Sequence, residues 1–293
     1  MLNSLLLNLC TKKQIEYFLD KPGHALLLVG SPGSGKKTIA KTIASETLRI
    51  NTGSALETYP FYYHLTPTDK SEITIEQVRK LIYNFRLRTP GSNKIRRVVF
   101  IENANLMSNE AQNAILKILE EPSSESLFIL TAPSELSLLP TVSSRAQIIY
   151  VRQVSLNDSR QYFINNYSQS DIEASWILSQ GSPGLMSALL QNDSQHSLKQ
   201  AVEKVKKILN QNKYQRLQSL ESITKDKPQL SLLLEAFNKI LIALHHKAVQ
   251  AENMVDAERM LSNRRLINQL QQALEQNVAP KLINLKLVAN LRL

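Results

Sequence analysis

One cysteine, Cys10, stands among the 293 residues. A single thiol excludes a disulfide framework. It also excludes a cysteine-based zinc site, which needs several thiolates or Cys/His sets at short spacing. A lone thiol fits a reducing compartment, so a cytoplasmic protein is expected. Long apolar runs are missing as well: no stretch of 18 apolar residues occurs, so no membrane-spanning segment is expected. The opening MLNSLLLNLCTKK has an apolar patch but no basic region ahead of it, which argues against a signal peptide. Low-complexity segments and internal repeats are absent too. With 43% hydrophobic and 20% charged residues, the composition is that of a globular chain with apolar material for two or three domains.

Acidic residues are in deficit. Lys and Arg number 35 against 25 Asp and Glu, a net charge of +10 that favours a polyanionic partner, nucleic acid first. The excess is spread evenly: residues 1–150 hold 17 basic and 13 acidic residues, and residues 151–293 hold 18 and 12. No basic tail exists, so any nucleic-acid contact must come from a folded surface.

What is present is an alternating first half. The short apolar runs 25–29 (ALLLV), 97–101 (RVVFI), 127–131 (LFILT) and 147–151 (QIIYV) read as buried parallel strands. Helical patterns run from Lys37 to about Leu48 and over 74–85, where Ile75, Val78, Leu81 and Ile82 share a face. A third helix covers 108–121, with Ser108 as N-cap and Pro122 as terminator. Ala111 three positions on leaves no full capping box. Strand and helix in alternation predict an α/β parallel sheet with flanking helices. After about residue 155 the strands stop. Short helices over 158–191 are broken at Gly181-Ser182-Pro183-Gly184, and from about 195 the chain reads as amphipathic helix, with breaks at Lys227-Pro228 and Val278-Ala279-Pro280. Three parts are expected: an α/β domain over 1–155, a small helical lid over 156–193 and an all-α domain over 194–293.

The sharpest motif is Gly30-Ser31-Pro32-Gly33-Ser34-Gly35-Lys36-Lys37-Thr38, between a buried strand and a helix. It matches the phosphate loop (Walker A) spacing G-x-x-x-x-G-K in the strand-to-helix context the motif needs. Glycines let backbone N–H groups curl into one concavity, the helix N-terminus favours an anion, and Lys36 brings a full charge for β/γ-phosphates. The bland alternative is a glycine-rich turn with no ligand. Where a Ser or Thr hydroxyl should follow the lysine to bind magnesium, Lys37 stands instead. Thr38 comes one residue late, turned about 100° around the helix. Lys37 either neutralises phosphate in place of a metal or points to solvent; solvent is the favoured expectation.

The run Val98-Val99-Phe100-Ile101-Glu102-Asn103 looks like a second acidic strand end (Walker B). Glu102 takes the place of a metal-holding Asp, and Asn103 the place of a general base. A carboxamide can hold a water but cannot take its proton, which removes about 10²–10⁴ of rate. ATP or ADP is therefore expected to bind weakly or statically, with poor hydrolysis and an unsupported magnesium site.

From Val98 onward the sequence resembles the AAA+ module of sliding-clamp loaders. The pieces that carry the likeness are Leu119-Glu120-Glu121-Pro122, Leu138-Leu139-Pro140-Thr141 and Ser144-Arg145-Ala146. Downstream, Gly181-Ser182-Pro183-Gly184 is similar to the lid motif of bacterial DNA polymerase III delta-prime subunits, and QQALEQNVAPKLINLKLVANL to their collar helices. The likeness covers most of the chain, densest over 26–151 and thin over 192–260. It implies an arginine finger at Arg145, reaching a neighbouring subunit's ATP. It also implies gamma/tau-like and delta-like partners in a hetero-pentamer, a sliding clamp, and primer-template DNA. Three departures stand out. The four-cysteine zinc module of many relatives is missing, so no zinc is expected. Leu185 replaces the lid arginine. Thr131-Ala132-Pro133 offers little to sense a γ-phosphate. Together they favour a stator over an active gamma-like ATPase motor, the alternative reading. A small-molecule P-loop kinase is disfavoured by the helical C-terminal third.

Residues Arg86, Arg88, Lys94, Arg96 and Arg97 form a basic cluster that serves equally as a phosphate contact or as a solvated loop. The lysines at 204, 206, 207 and 213 read as the wet face of a helix, Trp176 and Tyr62-Tyr63 as packing, His245-His246 as two diverging side chains rather than a metal pair, and Cys10 as a small buried hydrophobe.

Overall fold

The structure, a computed structural model, describes residues 2–50, 53–67, 72–84, 89–221 and 227–292. The chain divides into two compact units, Met1–Asp158 and Ser159–Leu293.

The first unit runs α1 (Leu9–Asp20), β1 (Ala25–Val29), α2 (Lys36–Leu48), α3 (Ser54–Glu57), β2 (Tyr62–Leu65), α4 (Ile75–Asn84), β3 (Arg97–Ile101), α5 (Asn109–Glu120), β4 (Ser126–Ala132), α6 (Pro140–Ser143) and β5 (Gln147–Tyr150). The strands form one parallel sheet in the order β2-β3-β4-β1-β5. The central strands β1, β3 and β4 are buried on both faces, which is why they read as unbroken apolar runs. Alternate residues feed two cores. Leu26 and Leu28 pack with Ile15 and Phe18 of α1 and Ile39 and Ile43 of α2. Leu27 and Val29 pack on the other face with Val78 and Leu81 of α4 and Ile115 and Leu119 of α5. Burying such side chains contributes about 1.5–3 kcal/mol each before entropy is counted.

Local chemistry sets the element ends. The Ser108 hydroxyl accepts from the Ala111 N–H at 3.1 Å, the N-cap expected for α5. Strand β2 was not expected. Its Tyr62 is buried in one core and Tyr63 packs against the other, so both are packing residues. Cys10 corrects the expectation of a buried hydrophobe: it is exposed in the first turn of α1, where its N–H donates to the Asn8 side chain.

From Leu156 the chain is helical: α7 (Leu156–Phe163), α8 (Gln169–Ser179), α9 (Pro183–Leu190), α10 (Ser197–Leu209), α11 (Lys213–Glu221), α12 (Lys227–Gln250), α13 (Met254–Glu275) and α14 (Pro280–Asn290). Gln180 and Gly181 at positive φ end α8, and Pro183 starts α9, so the expected break at 181–184 is present. In the second unit, Leu185 of α9 shares one core with Val202 of α10, Phe237 of α12, Ile267 of α13 and Leu287 of α14. Lys204, Lys206, Lys207 and Lys213 are exposed, as their helical spacing implies. No described helix is long and apolar enough to cross a membrane.

Candidate functional site

In an open parallel sheet, ligands meet the carboxyl ends of the strands. Both candidate motifs lie there. The Gly30 N–H continues the ladder by donating to Ala132 O at 3.2 Å, and the loop then turns into α2. Gly33 and Gly35 adopt φ of 78° and 87°, in the left-handed region that glycine enters without strain. Gly30 is constrained by space instead: a Cβ there would stand 2.9 Å from Ser34 Oγ and 3.0 Å from Val151 O. Gly35 caps α2 with no side-chain hydrogen bond, which leaves the first N–H groups of the helix available to an anion. Ser34 is 2% exposed, and its hydroxyl has no hydrogen-bond partner among the described residues.

Lys36 does not reach outward. Its Nζ donates to Gly30 O at 2.5 Å and Ser31 O at 3.0 Å, folded across its own loop. Burial lowers its pKa to about 8, because removing the ammonium from water penalises the charged form.

Lys37 is exposed, as the favoured expectation has it, with its side chain 53% accessible, and it also meets an acid: its Nζ lies 2.9 Å from Glu102 Oε2. Glu102 is itself fixed by β3, its N–H donating to Leu65 O of the neighbouring strand at 3.0 Å. The same carboxylate oxygen is 3.0 Å from His64 Nε2. His64, on β2, stacks on buried Phe100 with centroids 4.6 Å apart. Its Nδ1 faces Glu57 at 4.0 Å, and Glu57 pairs with Lys41 at 2.6 Å. Burial pushes the Glu102 carboxyl up, but hydrogen bonds from His64 and Lys37, with the charge of both, outweigh it and hold the pKa below the ordinary value.

The arrangement suits a phosphate better than a metal. The glycine turn and the open helix N-terminus are what an anion requires. A magnesium ion, by contrast, needs oxygen donors in near-octahedral array. Here the one acid at the strand end is engaged by an ammonium, and Thr38, the late hydroxyl, is exposed on α2. Asn103 sits at φ 54°, its N–H donating to Thr131 Oγ1 at 2.9 Å, so the Thr131 hydroxyl is engaged inside the strand end.

Arg145 lies just past α6, apart from the phosphate loop. Its guanidinium donates to Thr141 O and to Glu120 Oε1, both at 2.6 Å. Glu120 ends α5 within the Leu119-Glu120-Glu121-Pro122 run, so two of the motifs that carry the family likeness meet in this pair.

The basic cluster breaks up. Arg97 is 1% exposed within β3 and offers no surface to a polyanion, which corrects its expected place in that cluster. Arg96 binds Glu125 and the Gly91 carbonyl. Lys94 is exposed. Arg86 and Arg88 lie outside the described residues. Leu185, at the expected lid-arginine position, is buried in the second unit's core and brings apolar packing rather than charge.

Sequence reasoning missed His64, Glu57 and Lys41. One signal was available: two helical patterns follow one another between the first two expected strands, where an α/β alternation calls for a strand.

The family described as "DNA polymerase III, delta subunit" matches residues 11–155. The DNA polymerase III subunit delta' of Pseudomonas aeruginosa is 31% identical over 205 residues, 64% of this chain and 62% of that protein. The Escherichia coli subunit of the same name is 30% identical over 200 residues, 61% of this chain and 58% of its own length. The chain thus spans about three-fifths of these two relatives. Among solved structures, a DNA polymerase III gamma subunit-related protein from Thermotoga maritima superposes with a TM-score of 0.53 at 16% identity, covering 96% of this chain and 97% of that one. At that identity the likeness is one of fold.

Proposed function

The chain belongs to the delta-prime family of DNA polymerase III subunits, its first unit an AAA+ fold, and from that premise we propose that it serves as the non-hydrolysing stator of a sliding-clamp loader. In this reading it joins gamma/tau-like and delta-like subunits in a hetero-pentamer. It presents Arg145 to ATP held by a neighbour, and the assembly opens and places a sliding clamp on primer-template DNA.

The observation that carries the reading is the Lys37–Glu102 contact at 2.9 Å. It spends the strand-end acid on an internal cation, and Asn103 next to it cannot take a proton from water. A chain so built holds its fold without turning over ATP. Arg145 keeps what a finger needs: a permanently charged planar fork, on the surface, braced by a carbonyl and a carboxylate. When a neighbour's triphosphate is bound, it supplies the developing charge that such a fork stabilises. Of the basic cluster, Lys94 is the described side chain left facing outward for DNA.

Reconstitution with the partner ATPase subunits tests the proposal. DNA-stimulated ATP turnover should fall by about 10³-fold or more when Arg145→Ala replaces the native chain. An unchanged rate removes the finger. Turnover by the purified chain alone, abolished by Lys36→Ala, would instead make it a motor.

A further inference from the structure

We infer that Lys37 is a built-in substitute for the divalent metal, so that this phosphate loop takes a nucleoside diphosphate or triphosphate without magnesium. The inference deepens the stator reading and rests on its phosphate-loop half, not on Arg145.

In a metal-dependent loop, a hydroxyl after the loop lysine and an acid at the strand end share one cation, which screens the phosphates from the acid. This chain keeps the acid and replaces the hydroxyl by a residue that carries the cation covalently. The ammonium Nζ of Lys37 contacts Glu102 Oε2 at 2.9 Å, so a cation already stands beside the strand-end acid. His64 Nε2 binds the same oxygen at 3.0 Å and is held there by stacking on Phe100. A divalent ion would have to displace both donors and then sit against an ammonium, which like-charge repulsion opposes. The cost falls on the metal and not on the phosphate, because the anion meets the glycine turn and the α2 N-terminus, whose first N–H groups carry no side-chain cap. Lys37 is more than half exposed at its side chain, so it can lean toward a phosphate while Glu102 stays in the sheet.

The geometry also separates the two lysines. Lys36 bridges two loop carbonyls, so it braces the turn and swings to a phosphate only by leaving Gly30 O and Ser31 O. Lys37 neutralises the strand-end carboxylate that would otherwise repel the nucleotide. Together they give two ammonium groups and one carboxylate around the loop, a net positive site before any ion arrives.

Calorimetric titration of the full chain with ADP, in magnesium buffer and in EDTA, tests this directly. The native chain should bind with the same affinity in both, within about twofold. Lys37→Thr restores the hydroxyl and relieves Glu102 of the ammonium; its ADP affinity should be about tenfold weaker in EDTA than in magnesium. Lys37→Met removes the charge without supplying a metal ligand, and should bind weakly in both buffers. Thermal melting of both variants confirms that they are folded, as the exposed site allows. The inference is overturned if the native chain loses about tenfold or more on chelation, if Lys37→Met binds like the native chain, or if the native chain gives no binding heat with ADP in either buffer. Each of these outcomes leaves the Arg145 experiment standing, since that one reads turnover on a partner subunit.

Discussion

Lys37, the second residue of α2, and Glu102, the first residue after β3, meet ammonium to carboxylate at 2.9 Å. The contact joins the two motifs that a nucleotide site is made from, and joins them without a ligand. Glu102 is 17% exposed and Lys37 53%, so the acid is held by the sheet while the base reaches in from solvent. An exposed pair contributes about 0–1 kcal/mol. The Glu102 side draws more, because a half-buried carboxylate with no donors would cost about 1–3 kcal/mol. The network is thus a device for tolerating an acid at the mouth of an anion site.

Acid should dissolve that device. The folded-state pKa of Glu102 lies below its unfolded value of about 4.3, so its contribution is complete above that pH and fades as pH falls through the folded value. Glu102→Gln should cost about 1 kcal/mol at neutral pH, and the cost should shrink toward zero in acid as the native carboxyl becomes as neutral as the amide. Urea denaturation of both proteins across that range measures it. A pH-independent difference would mean that shape, not charge, sets the effect.

Lys36 predicts a pH dependence of the same sign but in the alkaline range, and with its charge a cost instead of a gain. Burial depresses its pKa to about 8, against an unfolded value of about 10.4. Below the folded value the native state carries a desolvated charge; between the two values the unfolded chain binds the extra proton, so stability rises with pH. Lys36→Met should therefore stabilise the chain by about 1 kcal/mol at neutral pH, with the gain vanishing near pH 10. Chemical denaturation at neutral and alkaline pH shows which way the difference runs. A loss of stability at neutral pH would mean that the bonds to Gly30 O and Ser31 O outweigh the desolvation.

Much of this site could be read from residue order, and the reasons are physical. ALLLV and RVVFI are buried on both faces, and such strands announce themselves as continuous apolar runs whose limits match the structure residue for residue. The phosphate loop is legible because glycine spacing encodes backbone shape. Tyr62-Tyr63-His64-Leu65 is not legible in the same way: it is an edge strand, half-buried, with polar atoms on both faces, and no apolar run marks it. Missing β2 meant missing His64, and with it the second donor to Glu102. Lys37 is exposed, as its preference for water implies, but residue order could not show that a carboxylate fixed by a strand distant in sequence also engages it. Arg97 fails as a nucleic-acid contact, since charge in sequence says nothing about which face of a strand is covered.

Gly30 offers a test of the loop's packing. Alanine would place a Cβ 2.9 Å from Ser34 Oγ and 3.0 Å from Val151 O. The hydroxyl can rotate away, but the Val151 carbonyl belongs to a chain segment tied to β1 through its N–H to Val29 O at 2.7 Å. Gly30→Ala should cost about 1–3 kcal/mol by overpacking. Equilibrium unfolding in urea reads it, and a cost near zero would show that the turn between β1 and α2 can spread.

Arg145 should be almost silent in the same assay. Its side chain is 33% exposed and that of its partner Glu120 is 47% exposed, a pair that water screens well. Arg145→Ala should change stability by less than about 0.5 kcal/mol, a shift in Tm of about 2 °C or less. Differential scanning calorimetry beside Gly30→Ala gives the contrast within one experiment. The comparison bears on function, because an arginine kept to brace α5 against α6 would cost as much on removal as a packed core residue. If the Arg145 variant melts like the native chain while turnover on the neighbouring subunit collapses, the guanidinium works outside its own fold. If it melts as far down as Gly30→Ala, Arg145 is a strut, and the loss of turnover would follow from a deformed surface instead of a missing charge.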